Sequence, residues 1–307
     1  MIKTKGVLLC FIAFGLALIF WSGYKINTKQ EPRFKINYTL NLPSNPKGLI
    51  IVFPKLGDTA NDTDIQTKIN ELAYDKGYAS LIFDYYKSFF LTEKDFQMMY
   101  NVVEKVAKDN FIPLKQITIG GFSVGGTIAL NYCTWVKKLK KKNIPSKIFV
   151  GDSPVDLLSL YRRKELFLKK DQDVAKKEAE FIIKFLKYYL GDPKEGISKY
   201  LKYSPSVRLY KEKSNIKYLK NYEIRFYSEP DLSWYKEKLN FDYEDTNSYQ
   251  IDLFVDDLKK MGNKNIRHIK TKNKGYLNKE KNPHSWTIIE AEGLINWIMN
   301  NSTCKEN

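Results

Sequence analysis

Apolar positions along the chain follow two different periods, and the two take turns. In FKINYTLNL, Phe34 to Leu42, every second residue is apolar, as in a strand with one face in water. GLIIVF, Gly48 to Phe53, is instead continuously apolar and partly β-branched, the pattern of a strand covered on both faces. A helical period follows from about Asp62 to Lys76, then a strand from Ala79 to Tyr85, then a helix from Thr92 to Lys108. Three more segments continue the series: a strand at Gln116 to Gly121, a helix from Val124 to about Lys140 and a strand at Lys147 to Gly151. Such alternation predicts a mostly parallel sheet flanked by helices, an α/β fold.

From 157 to 220 the alternation gives way to helix upon helix. The stretch DVAKKEAEFIIKFLKYYLGDP carries an apolar stripe and stops at Gly191, Asp192 and Pro193. A block of this kind between strands reads as an inserted helical cap. Its residues Phe181, Ile182, Phe185, Leu186, Tyr188 and Tyr189 could line a pocket or serve as ordinary packing between helices. Strand character returns at Tyr222 to Ser228, a helix at Ser248 to Met261, a strand at Asn265 to Lys270, and a closing helix at Ser285 to Met299.

The N-terminus stands apart from this series. Lys3 and Lys5 precede the uncharged run GVLLCFIAFGLALIFW, Gly6 to Trp21, whose length falls between a signal-peptide core and a membrane span. Phe20 and Trp21 stand where a signal peptidase needs small residues, and Leu9 before Cys10 spoils a lipoprotein motif. Residues 1–24 are therefore expected to be a signal anchor, or else a signal peptide, and residues 25–307 the folded domain. The expectation is a domain held at a membrane or exported, on the outer side.

Length and composition narrow the function classes. A chain of 307 residues with 43% hydrophobic content can bury one large core. Its net charge of +16 is spread out, and the densest group, Lys137, Lys138, Lys140, Lys141 and Lys142, falls where a helix should end and complements its dipole. No nucleic-acid motif accompanies the charge, so no nucleic-acid partner is expected. Cys10, Cys133 and Cys304 are scattered, and with two histidines in the chain they suggest neither a disulfide framework nor a zinc site. No metal or cofactor is expected.

The chemistry-bearing motif is Gly121-Phe122-Ser123-Val124-Gly125, a GxSxG match between a strand run and a helical run. A sharp strand-to-helix turn strains the serine backbone and brings its neighbours close, so both flanking positions must lack side chains. Ser123 is the candidate nucleophile. On these residues the chain resembles the α/β-hydrolase superfamily, over nearly its whole length beyond the linker near residues 24–33. That resemblance implies a triad in the order serine, acid, histidine, with the acid after a late strand and the histidine after the last one.

His284, in Asn282-Pro283-His284-Ser285-Trp286 after the last expected strand, is the candidate base; His268, inside NIRHIK, is expected to be a structural strand residue. Asp231, in Ser228-Glu229-Pro230-Asp231 after the strand YEIRFYS, is the first candidate for the acid. Glu229 is a neighbour that could substitute, and Asp152 and Asp156 follow the preceding strand, where some members of the superfamily carry the acid. The oxyanion hole would combine the Val124 amide with that of Lys55 or Leu56; Pro54-Lys55 departs from the His-Gly often found there. The expected activity is hydrolysis of a small-molecule carboxylic ester through an acyl-enzyme. The alternatives are a serine peptidase or amidase on the same fold and an inactive binding protein that kept it.

Overall fold

The computed structural model describes residues 37–85, 90–169 and 173–300. The apolar run expected to be an anchor lies outside them, and among the described residues no helix is long and apolar enough to cross a membrane. Seven strands form one sheet: β1 (Asn37–Asn41), β2 (Leu49–Phe53), β3 (Ala79–Asp84), β4 (Ile117–Phe122), β5 (Lys147–Gly151), β6 (Glu223–Ser228) and β7 (Ile266–Lys270). Their order is β1-β3-β2-β4-β5-β6-β7. β1 lies antiparallel to β3, and every other pair is parallel. The strands β2, β4 and β5 are buried along their whole length, as strands covered on both faces must be.

The first helical segment is broken. The single helix expected over 62–76 is two, α1 (Ala60–Gln66) and α2 (Ile69–Asp75), because Thr67 is extended at the end of α1 and its hydroxyl takes the Ile69 amide at 3.3 Å. Thr59 and Asp62 cap α1 reciprocally, and Thr92 and Asp95 do the same for α3 (Glu93–Asp109). Helix α4 (Val124–Lys138) follows β4 without a linker beyond Ser123.

Between β5 and β6 the chain is helical, with α5 (Leu157–Phe167), α6 (Asp173–Leu190) and α7 (Ser198–Tyr203) followed by two short 3-10 turns. The apolar stripe of α6 is spent on packing. Ile182 and Leu186 join the main core, and Phe185 and Tyr189 meet the ring of Phe90 at 6.4 and 5.7 Å. Two elements were not visible in the residue pattern: α8 (Leu232–Leu239), directly after β6, and a hairpin of β8 (Tyr276–Leu277) with β9 (Glu280–Lys281). Helix α9 (Asn247–Lys260) precedes β7. The closing helix is shorter than its pattern: a 3-10 turn at Trp286–Ile288 precedes α10 (Ala291–Met299), because Ile289 and Glu290 between them are extended.

Candidate active site

Ser123 occupies the turn between β4 and α4 with φ 55° and ψ −125°, a backbone conformation that side-chain-bearing residues rarely adopt. Two features hold it there. Its amide donates to the Gly151 carbonyl at 2.7 Å, and its own carbonyl accepts from the Gly126 amide at 3.1 Å. The flanking glycines are required by contact: a Cβ on Gly125 would lie 2.2 Å from the Phe53 carbonyl oxygen and 2.3 Å from that of Pro54, and one on Gly121 would lie 2.5 Å from the Gly125 carbonyl carbon. The bend is thus pressed against the end of β2 and the start of the loop after it.

That contact sets the start of the loop after β2 against the first turn of α4. Val124 is the first residue of α4, so its amide has no carbonyl one turn earlier in the helix to bind. In the loop after β2, Asp58 closes a turn onto the Lys55 carbonyl at 3.2 Å with Gly57 at φ +87°, and the Tyr85 hydroxyl donates to the Pro54 carbonyl. The Lys55 and Leu56 amides have no hydrogen-bond partner among the described residues. The Lys55 ammonium is turned to Gln66 Oε1 at 2.9 Å and Asp58 Oδ2 at 3.6 Å. Burial raises the Asp58 carboxyl above its ordinary value, against the pull of Lys55.

His284 is buried beside this turn. Its ring lies 4.9 Å from the ring of Phe122, the residue before Ser123, and Phe122 in turn meets Trp286 at 5.3 Å. The His284 amide donates to Asn282 Oδ1 at 3.0 Å. Nδ1 of His284 is 2.5 Å from Oδ2 of Asp152, whereas Nε2 is buried and has no hydrogen-bond partner among the described residues. A carboxylate only accepts, so Nδ1 donates to Asp152, and in the neutral ring Nε2 is the nitrogen with the lone pair. Such a nitrogen can accept a proton from a neighbouring hydroxyl.

The carboxylate at the histidine is therefore Asp152, after β5, and not Asp231, after β6. The reason is local. Gly151 holds the Ser123 amide, so the next residue, Asp152, already stands at the turn; its amide donates to the Tyr227 carbonyl at 2.7 Å. Asp231 is occupied elsewhere, capping α8 through the Trp234 amide at 3.1 Å and lying 3.2 Å from the Lys281 ammonium.

Glu229 does not face His284 either. Its carboxylate accepts from the Lys274 and Gly275 amides at 2.7 and 3.0 Å and from the Lys281 ammonium at 2.7 Å, bracing the loop that leads to the histidine. Burial would raise the Glu229 carboxyl, but Lys281 and the two amides outweigh it and hold the group below its ordinary value. Asp156 caps α5 through the Ser159 amide at 2.9 Å and accepts from the Arg208 amide at 3.0 Å. A cavity of about 990 Å³ between α5 and α9, lined among others by Arg163, Val207 and Tyr249, is bordered by none of Ser123, Asp152 and His284.

Sequence comparison gives no match to a family model, and no characterised protein matches by sequence. Comparison of folds does. The chain superposes on an esterase of Rhizomucor miehei with a TM-score of 0.57 at 14% identity, covering 86% of this chain and 77% of that one. A carboxyl esterase of Tuber melanosporum gives 0.57 at 16% identity, over 86% and 80%. A fluorophosphonate-binding serine hydrolase of Staphylococcus aureus gives 0.53 at 13%, over 87% and 93%. The fold is that of the α/β-hydrolases.

Proposed function

We propose that the protein is a serine hydrolase that cleaves small carboxylic esters, with Ser123 as nucleophile, His284 as base and Asp152 as the acid that orients the base. One observation carries this reading: a buried imidazole with one nitrogen on a carboxylate and the other unpartnered, packed against Phe122, the residue before a serine held at φ 55°. His284 Nε2 takes the Ser123 proton while Oγ bonds to the ester carbonyl carbon, and the Asp152 carboxylate stabilises the imidazolium. The carbonyl oxygen becomes an oxyanion, accepting from the Val124 amide and from that of Lys55 or Leu56. The bond to the alcohol then breaks, with the proton on Nε2 passing to the departing oxygen. Water repeats the sequence on the acyl-enzyme and releases the acid.

The esterase and serine hydrolase neighbours support an ester as substrate. A fluorophosphonate probe tests the reading directly. The wild-type protein should be labelled and should turn over short-chain p-nitrophenyl esters, and Ser123→Ala should do neither. A wild-type protein that is neither labelled nor active on such esters would sink it.

A further inference from the structure

The second histidine is held as firmly as the first. His268, on β7, has Nδ1 2.7 Å from Asp252 Oδ1 and Nε2 2.7 Å from the Ser228 hydroxyl, which lies 2.8 Å from the Ser248 hydroxyl. The composition matches a catalytic triad, but Ser228 is 0% exposed at the end of β6 and its hydroxyl is fully engaged, so no substrate reaches it. The array does something else. Asp252 also accepts from the Lys270 ammonium at 2.7 Å and from the Tyr243 hydroxyl. Its carboxylate accepts only, so His268 donates from Nδ1, its Nε2 accepts from Ser228, and Ser248 donates to Ser228. Ser248 and Asp252 are one turn apart on the same face of α9, so the ring of bonds closes on that helix and ties its first turns to β6 and β7.

Immediately before Ser248 stands Asn247, whose side-chain amide donates to the Asp152 carbonyl at 3.0 Å. Asp152 has φ 38°, in the left-handed region, and such an angle persists only where the surroundings over-determine it. Both of its peptide groups are held: the amide by Tyr227 on β6, the carbonyl by Asn247 on α9. We propose that Asn247 and His268 are positioning residues for Asp152, His268 fixing the start of α9 through Ser228 and Ser248, and Asn247 transmitting that position to the strained backbone beneath His284. The role rests on the reading of Asp152 as the acid of a serine hydrolase.

The test uses the full chain labelled with ¹⁵N-histidine, in which two histidines give two sets of ring signals. Asn247 is half-buried, so Asn247→Ala leaves the fold in place. It should displace the His284 Nδ1 proton signal, leave the His268 ring signals where they are, and lower kcat on a short p-nitrophenyl ester by about 10²-fold with KM little changed. His268→Gln should displace the His284 signal in the same sense, which loss of stability alone does not do. An unmoved His284 signal in folded Asn247→Ala protein overturns the proposal, as does a wild-type kcat. A wild-type protein without probe labelling would strike the hydrolase reading alone, and the ring signals would still decide whether the clamp exists.

Discussion

Oδ2 of Asp152 stands 2.5 Å from Nδ1 of His284 across 132 residues of sequence, and Asp152 follows β5, the neighbour of β4, just as Ser123 follows β4. Serine and carboxylate therefore come from adjacent strands, and the histidine is brought in from a distance.

Exchanging the two candidate acids separates their roles. Asp152→Asn should lower kcat on a p-nitrophenyl ester by about 10⁴-fold, because the histidine loses its tautomer and the stabilisation of its charged form. Asp231→Asn still caps α8 and should stay within about threefold of wild type. Equal, mild losses in steady-state assays of the two variants would reject Asp152.

The bend at Ser123 sets a steric limit. Gly125→Ala forces a Cβ to within 2.2 Å of the Phe53 carbonyl oxygen, a backbone atom that cannot swing aside. The expected cost is about 3 kcal/mol, read as a lower midpoint in urea unfolding, together with loss of probe labelling. A variant of unchanged midpoint and full labelling would contradict the packing.

Acid should loosen the histidine loop through Glu229. The folded carboxyl titrates below its ordinary value of 4.5, so its contribution to stability is complete above that value and is lost as the pH falls through the folded pKa. Glu229→Gln should thus be less stable than wild type at pH 7, and the difference should shrink steadily below pH about 4.5. Thermal midpoints of both proteins across that range measure it; a constant difference would show that Glu229 is not ionised in its brace.

Lys147 reaches from the start of β5 to the last turn of α10, its ammonium 2.7, 3.2 and 2.5 Å from the carbonyls of Trp297, Ile298 and Asn300. Burial lowers its pKa, yet the charge satisfies carbonyls that a helix end otherwise leaves open. Lys147→Met should cost about 3 kcal/mol, seen as a reduced urea midpoint at unchanged slope. A midpoint equal to wild type would mean that water replaces the lysine.

The sheet was legible in the sequence because period and composition are local. β2, β4 and β5 are runs that a single residue pattern announces, and Gly121 and Gly125 mark the bend by what they lack. His284 stood out because only one other histidine exists. The carboxylate at the imidazole was not legible: Asp152, Asp156, Glu229 and Asp231 all follow strands, and which of them meets the ring depends on Gly151 holding the Ser123 amide, a contact no spacing encodes. The same holds for Asn247, whose amide serves a carbonyl 95 residues away. Thr67 broke the first helix through its own backbone angle, which the apolar pattern around it does not report.

The antiparallel course of β1 has a consequence for how the molecule is presented. Asn37 pairs with Asp84, at the end of β3, on the side of the sheet where β2 and β4 also finish. Asn37 thus lies on the rim that carries Ser123, whereas Asn300 lies at the opposite edge, where Lys147 begins its strand. A probe attached at Asn37 would therefore sit on the same rim as Ser123, and one attached at Asn300 on the other.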